Sequence, residues 1–294
     1  MSTDLTKFAD ASVALTETMT NLSLTDEQEA AVLNLLDLLT PGSEGDEDAA
    51  SGRVSVSYLK LRQATTNVEY MPEDTPIGGF FTSMGENLGE ELHVIPLYKH
   101  TVASLFPDEE KPEHEGLERC NSLDGKTGST YGECKTCPHG RYVPGQNSPC
   151  NRAIRMYVVT TDLGFLIRID FYRTNRRAGK LMQQLARPKL WSKSFKLFST
   201  QEEATIGGKK VRYHAMKASV EGPVDAQTAE ICANLMKVIR EVRLLELASN
   251  EEYLASRASE ESQTPSNGKP AIDVPGTTVV GDSEDDALDL GGAL

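Results

Sequence analysis

Ile154-Arg-Met-Tyr-Val-Val-Thr-Thr161 and Phe165-Leu-Ile-Arg-Ile-Asp-Phe-Tyr-Arg173, joined by Asp162-Leu-Gly164, read as two β-strands and a tight turn. Both runs are rich in β-branched and aromatic residues, which fit a pleated, half-buried surface, and Gly164 suits a position of positive φ. The second run alternates, with Phe165, Ile167, Ile169 and Phe171 on one face and Leu166, Arg168, Asp170 and Tyr172 on the other. A sheet of this kind needs an apolar side to pack, so the hairpin predicts a mainly β (α+β) fold.

Toward the C-terminus, Asn175 to Arg187 reads as a basic helix stopped by Pro188, with Ala178, Leu181 and Leu185 facing inward. Trp191 to Thr200 and Val211 to Val220 pair across a loop containing Gly207-Gly208. After Pro223, Asp225 is an N-cap, and Ile231, Leu235, Val238, Val242 and Leu245 recur at helical spacing. That helix, 225–248, buries one stripe against the sheet or against a second subunit. Toward the N-terminus, Arg53 to Thr66 alternates at Val54, Val56 and Tyr58 and then shifts phase at Leu59 and Leu61, as a bulged strand does. Turn residues 72–79 lead to Phe80 and Phe81, and Leu92 to Tyr98 is a strand that Pro96 places at an edge or a bulge.

Four of the five cysteines lie between these strands, at Cys120, Cys134, Cys137 and Cys150, in the spacing Cys-x13-Cys-x2-Cys-x12-Cys. A Cys-x2-Cys pair followed by Pro138-His-Gly140 offers two thiolates to one ion, and the outer cysteines complete a tetrahedron. The loop 114–151 therefore reads as a closed structural Zn2+ site, with no coordination position left for catalysis. His139 or His114 could stand in for a cysteine, four thiolates being the simpler set. In a secreted chain the four could form two disulfides, but the polar, acidic start after Met1 lacks the basic and apolar regions of a signal peptide. Cys232, on the last helical pattern, reads as a small core residue.

Net charge is −14, distributed unevenly. Residues 1–52 carry 11 acids and one base, and residues 246–294 carry 11 acids and two bases. Residues 151–217 carry 15 Lys and Arg against four acids, and these cations interleave with aromatics. Cations that track phosphates, alternating with rings that stack on unpaired bases, are the pattern of a single-strand binding surface. The candidate nucleic-acid contacts are Arg168, Tyr172, Arg173, Arg176, Arg177, Lys180, Trp191, Lys193, Phe195 and Arg212. His214 lies among basic residues, where a surface or nucleic-acid role fits better than catalysis. Asp124-Gly-Lys-Thr127 mimics the end of a phosphate-binding loop, but Cys120 stands where that motif needs Gly. With no hydrolase or metalloprotease signature in the chain, an enzyme is not expected.

The ends read differently from this core. Residues 1–40 form an acidic helical arm, in which Thr25-Asp-Glu-Gln28 has the form of a capping box before Val32, Leu35, Leu36 and Leu39; a weaker pattern runs from Phe8 to Leu22. The arm is either a docking or self-association element or a pair of helices packed on its own domain. Residues 41–52 are a polar linker, 53–248 the core, and 249–294 an acidic tail too poor in apolar residues to order. No apolar run reaches the roughly 18 residues of a membrane helix.

Three phrases, Tyr58-Leu-Lys-Leu-Arg-Gln63, Cys120-x-Ser-x-Asp-Gly125 and Tyr131-Gly-x-Cys134-x-x-Cys137-Pro-His139, sit in a β domain with an inserted cysteine-rich loop. In these, and in its detachable acidic tail, the chain resembles the single-stranded-DNA-binding (helix-destabilising) proteins of bacteriophages, in layout over about residues 53–220. The resemblance implies an OB-like barrel with an inserted zinc loop, and sequence-independent single-stranded DNA binding in replication or recombination. It also implies a location in the host cytoplasm, away from membranes, and a tail that competes for the DNA groove and recruits replication or recombination proteins. Asp285, Asp286, Leu288, Asp289, Leu290 and Leu294 are the tail's candidate anchors, and self-association is a further expectation. The rival readings are a zinc-containing transcription or RNA-binding factor and a structural adaptor that binds an acidic partner.

Overall fold

The structure is a computed structural model that describes residues 5–21, 24–39, 56–66, 71–107, 114–140, 148–206 and 209–263. Helices α1 (Leu5–Asn21) and α2 (Asp26–Leu39) precede the short strands β1 (Leu59–Leu61), β2 (Phe80–Thr82) and β3 (Asn87–Gly89). The long β4 (Glu91–Leu105) is followed by β5 (Cys120–Ser122), β6 (Thr127–Gly128), β7 (Gly132–Glu133), β8 (Cys150–Thr160) and β9 (Leu166–Tyr172). Helix α3 (Arg176–Leu185), strands β10 (Lys193–Ile206) and β11 (Lys209–Pro223) and helix α4 (Ala226–Gln263) complete the described chain. Residues 1–255 form one compact unit, and a second begins at Ser256. Among the described residues, no helix is long and apolar enough to cross a membrane.

The fold is mainly β, of α+β type. Its central antiparallel sheet has the order β11-β10-β4-β8-β9, with β5 added to the far end of β4. Strands β1, β2 and β3 make a second antiparallel sheet, and β6 and β7 a two-stranded one. Pro96, which has no N–H to give the ladder, sits where the register of β4 against β8 slips. The predicted hairpin pairs Ala153 with Tyr172 through Val159 with Leu166.

The central sheet is buried on both faces. Ile154, Met156, Val158, Ile167, Ile169 and Phe171 meet Phe80, Phe195 and Leu197, and α3 contributes Ala178 and Met182. On the opposite face Tyr157, Val159, Leu163 and Leu166 pack under Leu15, Val32, Leu35 and Leu39 of α1 and α2, together with Ile231, Leu235 and Val238 of α4. The acidic arm is thus packed on its own domain, where Asn234 Nδ2 donates to Thr18 Oγ1 at 2.9 Å. Asp225 caps α4 by accepting from the Thr228 amide at 2.9 Å.

No barrel closes through backbone ladders among the described residues, yet the two edges of the central sheet converge on one segment. Tyr58 bridges Arg168 of β9 in parallel, and the Arg168 amide donates to the Ser57 carbonyl at 2.8 Å. A few residues on, the Gln63 side chain donates to the His214 carbonyl and accepts from the His214 amide of β11, both at 2.8 Å.

Several expectations need correction. The positive φ of the hairpin turn falls on Leu163 (φ 61), not Gly164; the Leu163 side chain is buried in the helix-covered core, which offsets the left-handed conformation. In α3 the inward residues are Ala178, Gly179 and Met182, while Leu181 and Leu185 are 37% and 38% exposed. A Cβ on Gly179 would stand 2.7 Å from the Phe171 ring, so the close approach of helix to strand selects small residues there. The first strand is only Leu59–Leu61, and α4 runs on to Gln263, past Ser249 where composition predicts loss of order. The linker 41–52, Val54, Gly207-Gly208, the Gln28 and Leu245 side chains and the tail beyond 263 lie outside the described residues.

Candidate functional site

Strand register brings the outer cysteines together. Leu105 near the end of β4 pairs with Cys120 on one side and with Cys150 on the other, and directly opposed residues of neighbouring strands point to the same face. The inner pair arrives on the β6–β7 ribbon: the Cys134 amide donates to the Lys126 carbonyl at 2.6 Å, and the Cys137 amide to the Glu133 carbonyl at 3.1 Å. Arg152 Nη2 ties the loop to β8 through the Cys134 carbonyl at 3.0 Å. The four thiols line one cavity of about 10 Å³, walled by Leu105, Gly128 and Tyr131. A Cβ on Gly128 would lie 2.6 Å from Cys120 Sγ, so only glycine lets the ribbon close over that sulfur.

All four cysteines are free thiols. Burial, then the thiols of Cys134, Cys137 and Cys120, push the Cys150 thiol up to about 11. Crowding four potential thiolates is unfavourable by itself, and a divalent cation is what would neutralise it. Among the described residues, no three His, Cys, Asp or Glu side chains already converge as a metal cluster. The donor set and the shared cavity fit one tetrahedrally coordinated ion held by four thiolates. His139 packs its ring on Tyr131, centroids 4.5 Å apart, and His114 does not line the cavity. Asp124 serves its own turn. Burial would raise its carboxyl, but the amides of Thr127 and Lys126 and the Ser122 hydroxyl outweigh it and hold the group below its usual range.

A cleft of about 260 Å³ opens where the two sheet edges meet. One wall is Tyr172, Arg173, Thr174 and Asn175 at the end of β9, another is Val211 to His214 of β11, and a third is Gln63 to Thr65. Carboxamides pin these walls. Gln63 holds His214, Asn175 Oδ1 accepts from the Met216 amide at 2.8 Å, and Asn151 Oδ1 accepts from Arg173 Nε at 3.0 Å. Tyr172 is 47% exposed, and Arg212 is open to solvent apart from a 3.7 Å approach to Glu203. Arg176, Arg177 and Lys180 extend the basic surface along the outer side of α3. Tyr213 donates to Glu202 at 3.0 Å, which pushes its phenol up; Arg177 is close enough to oppose that shift.

The remaining predicted contacts lie elsewhere. Phe195 is fully buried in the core together with Leu197, in unbroken alternation along β10. Trp191 lies in a single 3-10 turn, Leu190–Ser192, ahead of the strand, so the alternation expected along Trp191, Lys193 and Phe195 does not reach it. Trp191 packs against the helix-covered core, and Lys193 begins β10 away from the cleft. Arg168 lies near a bidentate Arg155–Asp170 pair, Nε–Oδ1 and Nη2–Oδ2 both 2.7 Å, and over the Tyr58 ring at 5.2 Å. Gln63 and Asn151 are residues that sequence reasoning missed. For Gln63 the signal was its place at the end of the phrase Tyr58-Leu-Lys-Leu-Arg-Gln63.

No family model, no curated protein and no solved structure matches this chain.

Proposed function

We propose that the chain binds single-stranded DNA without sequence preference, in phage replication or recombination, and is not an enzyme. The observation that carries this reading is the cleft: an exposed Tyr172 flanked by Arg173 and Arg212, continuing onto Arg176, Arg177 and Lys180. A ring open to stacking beside several cations suits unpaired bases better than a duplex. In this reading the central sheet, the parallel Tyr58–Arg168 bridge and the Gln63 clasp make up an OB-like barrel, with α3 filling the gap between its edges. Zn2+ on Cys120, Cys134, Cys137 and Cys150 fastens the inserted loop to β4 and β8. The acidic end of the chain competes for the cleft and, once displaced by DNA, offers Asp285, Asp286, Leu288, Asp289, Leu290 and Leu294 to replication or recombination proteins in the host cytoplasm.

Titration with oligo-dT, duplex DNA and single-stranded RNA at several salt concentrations tests this. Preference for oligo-dT with steep salt dependence supports it. Preference for one duplex sequence or for RNA replaces it with a transcription or RNA-binding factor, and no nucleic-acid binding at low salt leaves an adaptor for an acidic partner. Deletion after Gln263 is expected to raise oligo-dT affinity most at low salt, because salt screens the tail from the cleft. Equal affinity with and without the tail at low salt removes the competition.

A further inference from the structure

We propose that Asn151 is a positioning residue for the cleft and that through it the state of the thiol loop is read by Arg173. This rests on the cleft being the binding surface. Three consecutive residues at the start of β8 do three different things. Cys150 enters the thiol cavity, Asn151 Oδ1 accepts from Arg173 Nε at 3.0 Å, and Arg152 Nη2 donates to the Cys134 carbonyl at 3.0 Å. Arg173 is the partner that needs holding. Its φ is 50, a left-handed conformation that a non-glycine residue keeps only when its surroundings enforce it. The hydrogen bond is charge-assisted and orients the guanidinium at the mouth of the cleft rather than leaving it to rotate in solvent. Drawing Cys150 onto an ion fixes the adjacent peptide and so fixes Asn151. With the loop loosened, Asn151 and then Arg173 lose their setting. Ion binding and strand binding then favour each other by linkage, since each prefers the same arrangement of Cys150 and Asn151.

The test compares wild type, Asn151→Leu, Arg173→Ala and the double variant, each zinc-loaded and full-length, for oligo-dT affinity. Asn151→Leu keeps the branched heavy-atom shape and removes the acceptor. Each single variant is expected to weaken binding roughly threefold to tenfold, and the double variant to be no weaker than Arg173→Ala alone. Parent-like binding by Asn151→Leu, or two effects that multiply in the double variant, overturns the proposal. A measurement free of DNA separates this from failure of the functional reading. The Arg173 Nε–H resonance, assigned by its loss in Arg173→Ala, should be set apart from those of exposed arginines and slow to exchange. It should join them in Asn151→Leu and on chelation of zinc, while the Met216 amide held by Asn175 stays protected. If wild type ignores oligo-dT but this signature depends on zinc, the function is wrong and the tether stands. A signature indifferent to zinc, or one lost only together with the Met216 amide, overturns the tether.

Discussion

The four thiols come from one short insertion, whereas Gln63 and His214, which face each other at the cleft, are 151 positions apart. The loop gathers its chemistry by strand register and one ribbon, so a single ligand controls the whole. The cleft is assembled from three elements that each have other structural duties, and its function is spread over many small contributions. A local site therefore fails at once when one residue is lost, and a non-local site fails by degrees.

The largest effect should come from the loop. On the proposed Zn2+ site, purified protein should carry about one zinc per chain, and Cys134→Ser is expected to abolish it and to cost several kcal/mol of local folding, because the binding energy of a structural metal is folding energy. Elemental analysis and thermal melting decide it; a parent protein without metal, or a variant that melts like it, removes the site. Phe195→Ala should cost about 3–5 kcal/mol of stability as a core truncation. If it instead left melting intact and weakened oligo-dT binding, the ring would belong to the cleft.

The junction between the two regions should be acid-sensitive. His100 of β4 is lowered to about 3, by burial first and then by the charges of Arg243 and Arg155. Arg243 of α4 also donates to the Leu123 carbonyl of the thiol loop. Below about pH 6.5 the unfolded chain takes up a proton that the folded chain refuses, so stability falls as pH drops toward 3, by on the order of a few kcal/mol. His100→Gln should flatten that acid limb in a pH series of denaturant melts; an unchanged limb assigns it to other groups.

Within the cleft the effects become smaller and separable. Tyr172→Ala should weaken oligo-dT binding by about 1–3 kcal/mol with the salt slope and melting temperature unchanged, since a ring neutralises no phosphate. Arg177→Gln should reduce the slope of log affinity against log salt by about 0.7, one phosphate contact. A slope identical to wild type would take α3 out of the surface, leaving the cleft to Tyr172, Arg173 and Arg212.

Where a pattern is set by near neighbours, it was legible. The β8–β9 hairpin, the α4 stripe of Ile231, Leu235 and Val238, the Asp225 cap and the shared cavity of the four cysteines follow from periods and spacings along the chain. Which face is covered depends on segments distant in sequence, and there local reading could not decide. Alternation placed Arg168 opposite Ile167 and Ile169, but only the packing of α1, α2 and α4 shows that its side of the sheet is largely covered. Trp191 and Phe195 pack in different cores because Trp191 sits in a 3-10 turn ahead of β10, where period two does not apply, while Phe195 and Leu197 alternate inward along the strand. Leu181 and Leu185 face outward because the Phe171 ring leaves room only for glycine beneath it, so Gly179 sets the rotation of α3. The composition of residues 151–217 alone determined that a strongly basic surface exists. The meeting of β1, β9 and β11 decided which of those cations share a cleft, because side-chain direction is a property of the assembled sheet.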